Sequence, residues 1–365
     1  MDIPEQMKAV LLTGHGGYDQ LEYRDDVPIP RPEAGEVLIR VGAAGINNTD
    51  INTRIGWYSK SVSQGTQNDG SRGGAKGAKI DDAGWSGSAL SFPRIQGADV
   101  CGEIVQAGEN VDPGRVGERV LVEPCLRRDP HNQMFEFTYL GSECDGGFAQ
   151  YTKVAAQFAH KVDSDLSDAE LASFPCSYST AENMLSRSQV TKGETVLITG
   201  ASGGVGSAAV QLAKRRGARI IAVAGASKAH KVMALGADNV IPRGSGILAA
   251  LGPKSVDVVI DLVAGPEWPE LPEVLVPGGR YATSGAIAGP LVELDVRTLY
   301  LKDLSLFGCT SLDPHVFRNL IGYIERREIA PVVAQTFPLR DIAEAQEVFL
   351  AKKYTGKLIL IPPHE

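Results

Sequence analysis

A glycine-rich turn in the middle of the chain has the composition of a phosphate-binding site. Residues 199–206 read Thr-Gly-Ala-Ser-Gly-Gly-Val-Gly, and they join an apolar run at 195–199 to a helical pattern at 204–217. Small residues permit a tight turn and a close approach of the backbone to a pyrophosphate, while the helix N-terminus supplies free N–H groups. Because both flanking patterns are present, we expect a bound dinucleotide rather than only a tight strand–helix connection. The candidate contacts in this turn are Ser202, Gly203, Gly204, Val205 and Gly206.

The next strand pattern, residues 219–223, indicates which dinucleotide binds. An NAD site usually carries an Asp or Glu just after this strand, where it accepts hydrogen bonds from the ribose hydroxyls. This chain has no acid there, and Ser227 and Lys228 lie where a 2′-phosphate would lie. Lys231 and Arg243 are possible helpers, although the two lysines could also form only a solvated helix face. The sequence therefore favours NADPH over NADH.

Composition and charge exclude several classes of protein. The chain has 365 residues, 43% of them hydrophobic and 22% charged, which suits a two-domain globular protein and excludes disorder throughout. Its net charge is −8 and it has no basic run, so nucleic acid is not an expected partner. No apolar run is long enough for a membrane span, and we expect no signal peptide. Five cysteines at irregular positions make no disulfide framework, so we expect a reduced, cytoplasmic protein.

Two regions of different pattern follow one another along the chain. The first 160 residues carry short strand patterns that are typical of an antiparallel, barrel-like domain, namely 8–12, 35–41, 99–105 and 118–122. A helix start with Ser167 as N-cap and Glu170 three residues later marks the change. Apolar strands then alternate with helices, which predicts a parallel sheet covered on both faces. The predicted strands are 195–199, 219–223, 256–261, 279–283 and 304–307.

One segment of the first region has an unusual composition. Residues 59–91 contain seven Gly and seven Ser and few large apolar side chains. A loop of this length in a compact domain is usually functional or disordered. We expect a lid or rim over the active-site cleft, and the alternative is a tolerated surface insertion.

Further motifs give the chain a resemblance to a known family over nearly its whole length. Residues 45–50 read Gly-Ile-Asn-Asn-Thr-Asp, and residues 145–151 read Asp-Gly-Gly-Phe-Ala-Gln-Tyr. Leu-Gly-Ala-Asp at 235–238 and Gly-Lys-Leu-Ile-Leu at 356–360 complete the set. Together these segments resemble the medium-chain dehydrogenase/reductase superfamily. The Ala-Ser-Gly-Gly-Val-Gly of 201–206 resembles the form found in its zinc-independent quinone oxidoreductase and enoyl reductase-like branch.

The resemblance implies an α/β fold with a GroES-like, β-rich catalytic domain and a Rossmann domain built on a doubly wound parallel sheet. The catalytic domain would comprise 1–160 and 313–365, and the cofactor-binding domain 161–312, with the active site in the cleft between them. The resemblance also implies a homodimer formed through an outer strand at 303–309. By position, the further cofactor contacts would be Thr180, Val263, Gly285, Ala286, Ile287, Phe307 and Cys309.

The residues at the family's catalytic metal positions do not favour zinc. Asn47 stands where the first cysteine ligand would be, and Ala98 replaces the histidine of the Gly-His-Glu motif. Only Cys176 matches a ligand, whereas a catalytic zinc site needs at least three protein ligands. The sequence therefore predicts no catalytic metal ion.

The stretch that would hold a structural zinc ion is similarly poor in ligands. It contains Cys125 and Cys144 with His131 between them, whereas four closely spaced cysteines are required. We expect two reduced thiols there rather than a metal site.

Hydride transfer to an activated double bond is chemistry that this fold could perform without a metal ion. A hydride added to the β-carbon of an enone, quinone or enoyl thioester leaves an enolate, which hydrogen-bond donors stabilise and an acid or water protonates. The candidate catalytic residues are Asn47, Asn48 and Tyr58. Residues 45–58 are similar to the same stretch of mitochondrial-type enoyl thioester reductases, in which the matching tyrosine is a catalytic donor. The alternatives are a turn-forming asparagine pair and an aromatic wall.

The sequence thus predicts an NADPH-dependent reductase of quinones or α,β-unsaturated carbonyl compounds. Two alternatives remain, an alcohol or aldehyde oxidoreductase of the same superfamily and a non-catalytic NADPH-binding protein. Cofactor binding alone does not discriminate among the three, because all of them would keep the phosphate-binding turn.

Overall fold

The computed structural model describes residues 3–66, 70–127 and 136–364, so His131 lies outside the described residues. The strands are, in chain order, β1 (Gln6–Leu12), β2 (Leu21–Pro28), β3 (Glu36–Gly45), β4 (Arg94–Ile95), β5 (Cys101–Ala107), β6 (Arg119–Val122), β7 (Cys125–Arg127), β8 (Phe137–Tyr139), β9 (Tyr151–Ala155), β10 (Ala159–Lys161), β11 (Thr195–Ile198), β12 (Arg219–Ala224), β13 (Asn239–Pro242), β14 (Val256–Asp261), β15 (Leu275–Thr283), β16 (Ser305–Gly308), β17 (Val333–Pro338) and β18 (Lys357–Ile361).

The helices are mostly short. They are α1 (Asn48–Ile55), α2 (Gly70–Gly73), α3 (Asp168–Leu171), α4 (Pro175–Arg187), α5 (Gly204–Arg215), α6 (Ala229–Ala234), α7 (Ile247–Leu251), α8 (Glu270–Val274), α9 (Val296–Leu301), α10 (Val316–Glu325) and α11 (Ile342–Ala351). The predicted helix start is confirmed, because Ser167 caps α3 and the Glu170 side chain accepts a hydrogen bond from the Ser167 backbone in return. Within the described ranges, none of these helices is long and apolar enough to cross a membrane.

A parallel sheet of six strands forms one half of the molecule, in the order β13-β12-β11-β14-β15-β16. The order reverses between β11 and β14, so the loops after these two strands diverge and leave a crevice at their carboxyl ends. The five predicted strands are all present, and β13 is an additional one. Its four residues end in a proline, Pro242, which an edge strand tolerates but a strand pattern in the sequence does not reveal.

A mostly antiparallel sheet forms the other half, in the order β10-β6-β5-β3-β18-β17, with β9 also paired to β3 and only β17 and β18 parallel to each other among its described strands. The end of the chain returns to this sheet, because Ile359 of β18 lies opposite Gly45 of β3 and Leu360 lies opposite Ala44. This return brings Lys357, the first residue of β18, close to the residues that follow β3. The predicted combination of a GroES-like, β-rich half and a Rossmann half is confirmed.

The boundaries of the two domains stay a prediction, and the packing bears on one of them. Helix α10 buries Phe317 and Leu320 in the same apolar cluster as α4, α5 and the inner strands of the parallel sheet. Phe349 of α11 and Leu358 of β18 instead pack in the core of the antiparallel half. Helix α10 thus packs with the Rossmann half, and the boundary between 312 and 313 stays a prediction.

Candidate active site

A deep cleft lies where the two halves meet, at the crevice beside β11 and β14. The glycine-rich turn and the ends of four parallel strands, β11, β12, β14 and β15, form its wall on the Rossmann side. The start of α1, the start of α4 and the chain before β18 form its wall on the other side. The predicted site residues that line this cleft are Asn47, Asn48, Tyr58, Thr180, Ser202, Gly203, Gly204, Val205, Gly206, Lys228, Arg243, Val263, Gly285, Ala286 and Ile287.

The glycine-rich turn has the geometry that a phosphate requires. Helix α5 begins at Gly204 with Gly203 as its N-cap, so the N–H groups of its first turn are available to a ligand. Gly206 permits close packing of this helix on the turn, because a Cβ atom there would overlap the carbonyl oxygen of Gly200. The turn is also tied to the end of the chain, because the Gly356 N–H donates to the Ser202 carbonyl oxygen at 3.1 Å.

Three basic side chains line the cleft beyond this turn. Lys228 donates from Nζ to the backbone oxygen of Lys352 at 2.5 Å, and exposed Arg243 has no ion-pair partner in the described part of the chain. Burial, followed by the neighbouring charge of Arg243, lowers the pKa of Lys228 below its ordinary value. Burial together with the charges of Lys228 and Lys357 lowers the pKa of Lys352 to about 7. This wall therefore has uncompensated positive charge, which suits the phosphates of a dinucleotide.

Asp261, at the end of β14, orders the loop that forms the floor of the cleft. Its carboxylate accepts hydrogen bonds from the Thr199 hydroxyl at 2.5 Å and from the Tyr281 hydroxyl at 2.7 Å. It also accepts the backbone N–H groups of Val263 and Ala264 at 3.0 and 3.2 Å. A fully buried carboxylate with this many donors fixes the position of Val263 against the turn.

Three of the predicted cofactor contacts do not line the cleft. Ser227 is exposed in the turn before α6, and Phe307 lies within edge strand β16. Cys309 is buried, and its thiol lies 3.8 Å from the Phe307 carbonyl oxygen. The chain leaves β16 before it reaches the cleft, so Thr310 and Leu312 form the wall there instead.

The predicted catalytic residues lie together in the cleft at the start of α1 and just after this helix, and Lys352 of the basic wall contacts one of them. The Tyr58 hydroxyl donates to the Thr49 hydroxyl at 3.1 Å, and burial raises the pKa of Tyr58 well above its ordinary value. Asn48 accepts a hydrogen bond from Lys352 Nζ at 3.3 Å, and its amide nitrogen has no partner among the described residues. Tyr58 thus retains its phenol proton at neutral pH, and Asn48 keeps a free donor for a ligand oxygen.

Asn47 is in a different state, because its amide group is saturated. Its Oδ1 accepts from Lys357 Nζ at 2.5 Å, and its Nδ2 donates to Asp99 Oδ2 at 2.8 Å and to the Gly45 carbonyl oxygen at 3.4 Å. Lys357 also donates to Asp99 Oδ2 at 2.6 Å. In this arrangement Asn47 has no donor left for a substrate.

Aromatic side chains surround the same part of the cleft. Trp85 stacks on Tyr139 with ring centroids 4.7 Å apart, and the Tyr139 hydroxyl lies 3.1 Å from the Cys176 sulfur. Trp57 contacts Tyr58 edge to face. Burial raises the pKa of Cys176 to about 12, so this thiol is neither a thiolate nucleophile nor a ready metal ligand.

The segment with the Gly- and Ser-rich composition contributes part of this wall. Thr66 and Trp85 line the cleft. Gly65 packs directly on the Rossmann half, because a Cβ atom there would overlap the backbone of Ile287. The described parts of this segment therefore contact both halves of the molecule at the cleft.

Comparisons with known proteins cover nearly the whole chain. Residues 33–164 match the family model described as alcohol dehydrogenase GroES-like domain, and residues 204–326 match the one described as zinc-binding dehydrogenase. An acryloyl-coenzyme A reductase from Metallosphaera sedula is 31% identical over 365 residues, which cover 97% of this chain and 99% of the relative. The chain belongs to the medium-chain dehydrogenase/reductase superfamily.

Two further relatives carry the names of different oxidoreductases. The human quinone oxidoreductase is 28% identical over 97% of this chain and 98% of its own length. A Sinorhizobium meliloti protein with the provisional designation of alcohol dehydrogenase is 46% identical, and its structure superposes with a TM-score of 0.88 over 99% of this chain and 98% of its own. The chain is thus an oxidoreductase of the quinone oxidoreductase and enoyl reductase-like branch, and it binds a nicotinamide cofactor.

The description zinc-binding dehydrogenase implies a zinc ion, but the residues at the catalytic metal position of this chain do not fit one. The structure brings Asn47, Ala98 and Cys176 together, as the motif positions require, but they supply one protonated thiol and one amide. Ala98 packs with Tyr139 and Cys176 in an apolar cluster. The Lys357 ammonium, bonded to both Asn47 and Asp99, is a fixed positive charge that would repel a metal ion. The described residues contain no group of three or more His, Cys, Asp or Glu side chains that could hold a metal ion.

The sequence reasoning missed several residues of this site. Lys352 and Lys357 lie more than a hundred residues from the glycine-rich turn, and only the return of the chain places them beside it. Trp85 and Tyr139 likewise belong to no motif. The one available signal was the Gly-Lys pair at 356–357, which belongs to a segment that supported the family resemblance.

Proposed function

We propose that this chain is an NADPH-dependent reductase of quinones or α,β-unsaturated carbonyl compounds that works without a metal ion. The observation that carries the proposal is one continuous cleft with a basic, glycine-rich wall at one end and an aromatic pocket at the other. The place of a catalytic metal between them contains the Lys357 ammonium. The relatives named as quinone oxidoreductase and acryloyl-coenzyme A reductase support this reaction class.

The nicotinamide supplies the hydride when the cofactor is bound. The protein's residues must then stabilise and protonate the enolate that is left on the substrate. Asn48 has a free amide donor at the cleft, and Tyr58 has a phenol proton that is retained at neutral pH. We assign Asn48 to hydrogen bonding of the developing enolate oxygen and Tyr58 to protonation. Asn47, whose amide is saturated, holds the start of α1 and does not touch the substrate in this scheme.

The preference for NADPH rests on the charge beyond β12. The chain supplies no acid at the ribose position, whereas Lys228 and Arg243 face the cleft without a carboxylate partner in the described ranges. A 2′-phosphate would relieve the repulsion between these two cations, and the NADH ribose would not. Of the fifteen predicted site residues that line the cleft, all but Asn47 form the proposed binding and catalytic set, and Asn47 positions the start of α1.

The shape of the pocket favours planar, conjugated acceptors. Trp57, Tyr58, Trp85 and Tyr139 offer ring faces and edges, and conjugated ring systems pack against them in offset or edge-to-face contacts. The thioester, enone and quinone classes share the planar conjugated group that this pocket would receive.

A homodimer formed through edge strand β16 is part of the proposal. β16 ends the parallel sheet, so its outer edge is available for pairing with a second copy. Exposed apolar side chains surround this edge, among them Val296, Tyr300, Leu301 and Leu306.

The test is NADPH oxidation by the purified chain with a panel of quinones, enones, enoyl thioesters and, in the reverse direction with NADP⁺, alcohols. We expect consumption with at least one acceptor of the first three classes and none with alcohols. Oxidation of an alcohol together with inactivity on every acceptor would replace this proposal by a dehydrogenase function. NADPH binding without any turnover would indicate a non-catalytic protein.

A further inference from the structure

We infer that Lys357 is the positioning cation of this active site, and that its ammonium replaces a metal ion as the charge that holds the catalytic end of α1 in place. The inference rests on the proposed function for its catalytic readout only. The family matches describe a zinc-binding dehydrogenase, and nothing in them assigns a role to this lysine.

The Lys357 ammonium has a complete set of acceptors. Its three protons are donated to the Ile46 carbonyl oxygen at 2.9 Å, to Asn47 Oδ1 at 2.5 Å and to Asp99 Oδ2 at 2.6 Å. The side chain is 4% exposed and that of Asp99 is 0% exposed. A buried charge pair with every donor satisfied fixes the relative positions of its neighbours, because any movement would leave a charge unpaired.

Asp99 connects the Lys357 ammonium to the starts of α1 and α4, which meet at the position of the catalytic metal in zinc-dependent relatives. Its Oδ2 also accepts from Asn47 Nδ2 at 2.8 Å, and its Oδ1 accepts the Cys176 backbone N–H at 2.6 Å. Asn47 is the N-cap of α1, which carries Asn48 and Thr49 into the cleft. Cys176 lies in the first turn of α4. One ammonium thus orients both helix starts through a single carboxylate.

The same lysine connects this arrangement to the cofactor turn. A Cβ atom on Gly204 would lie 2.9 Å from Lys357 Cδ, so the lysine stem lies against the first residue of α5. The preceding residue, Gly356, donates its N–H to Ser202 of the turn at 3.1 Å. Lys357 therefore sets the distance between the phosphate-binding turn and the residues that face the substrate.

The first test is hydrogen exchange, which needs no substrate. Lys357→Met alone leaves the Asp99 carboxylate buried and unpaired, so the fold itself could fail. The double variant Lys357→Met, Asp99→Asn removes both charges together and is the decisive protein. We expect faster exchange in peptides from 46–55 of the double variant and unchanged exchange in peptides from the parallel sheet.

The second test is the split between kcat and binding on the acceptor found in the screen. We expect kcat of the double variant to fall at least about tenfold, while the NADPH dissociation constant stays within about twofold. Lys302→Met is the matched control, because Lys302 is a partly buried lysine away from the cleft that, like Lys357, donates to backbone oxygens and lies beside a carboxylate, here that of Glu273. It should leave kcat and exchange in 46–55 unchanged.

Unchanged exchange in 46–55 together with kcat within twofold of the parent would overturn the role of Lys357. Uniformly faster exchange across the chain would also overturn it, since a general structural pair predicts that result. If the parent reduces no acceptor but exchange in 46–55 responds as expected, the proposed function fails and the positioning role stands.

Discussion

Asn47 and Asn48 differ in their capacity to bind a ligand, because the Lys357–Asp99 ion pair occupies the amide group of Asn47 only. Asn47 gives both ends of its amide to Lys357 and Asp99, whereas Asn48 uses only its oxygen, toward Lys352. Residue types alone made them equivalent candidates for binding an enolate. Their hydrogen bonds separate a helix-capping role from a ligand-binding one.

Tyr58→Phe removes only a hydroxyl from the pocket wall, and we expect kcat to fall at least about tenfold. The ring and its contact with Trp57 remain, so the NADPH dissociation constant should not change. Tyr300→Phe, at an exposed tyrosine on α9, is the control. Undiminished turnover would make Tyr58 an aromatic wall and leave protonation to water.

Lys228→Ala should weaken NADPH binding and leave NADH binding nearly unaltered, because only NADPH carries the 2′-phosphate. In the parent we expect NADPH to bind at least tenfold tighter than NADH, a difference of roughly 1.4 kcal/mol. Fluorescence titration of both cofactors measures this. Lys231→Ala, at an exposed lysine on α6 that does not line the cleft, should change neither constant. Equal constants for the two cofactors in the parent would refute the preference.

Lys352 should make cofactor binding depend on pH. Its pKa is lowered to about 7 without a ligand, and a nearby phosphate would favour the ammonium and raise that pKa. The NADPH dissociation constant should therefore rise as pH increases from 7 to 8.5, by at most about tenfold per unit for one coupled proton. Lys352→Met should flatten this dependence, while Lys353→Met on the exposed neighbour should keep it. A flat profile in the parent would exclude Lys352 from phosphate binding.

At the scale of elements, the segment 59–91 forms part of the pocket. It delivers Trp85 onto Tyr139 and packs Gly65 against the backbone of Ile287 on the Rossmann half. A surface insertion would need neither contact. Through Trp85, the segment therefore contacts the pocket in which we expect the substrate to bind.

Trp85→Ala should raise KM for a planar acceptor by about three- to tenfold, which corresponds to the loss of one aromatic contact. NADPH binding should not change, since the ring lies at the substrate end of the cleft. Ile80→Ala is the control in the same segment, because the Ile80 side chain is 68% exposed. If neither variant changes KM relative to the parent, the segment is a surface insertion without a role in substrate binding.

At the scale of the whole molecule, the proposed dimer forms through the edge of the parallel sheet. We expect light scattering to give the mass of two chains, each of 38.8 kDa. Leu306→Glu on β16 should shift the mass toward one chain, because it places charge in the paired edge. Val116→Glu changes another exposed apolar residue, on the β-rich half, and should leave the dimer intact. A single-chain mass for the parent at working concentration would contradict the dimer.

The sequence by itself determined the two-part α/β fold, the phosphate-binding turn and the poor match to a zinc site. These features are local, because strand and helix periodicity, small residues in a turn and the identity of a motif position are visible within short windows. Only the tertiary structure decided that Lys357 and Asp99 share one hydrogen-bonded cluster with Asn47. The same holds for Lys352 beside the cofactor wall, Trp85 in the pocket, and Phe307 and Cys309 away from it. Those contacts join residues far apart in the chain, and their geometry depends on how β18 pairs with β3 and on where β16 ends. No short window of sequence carries that information.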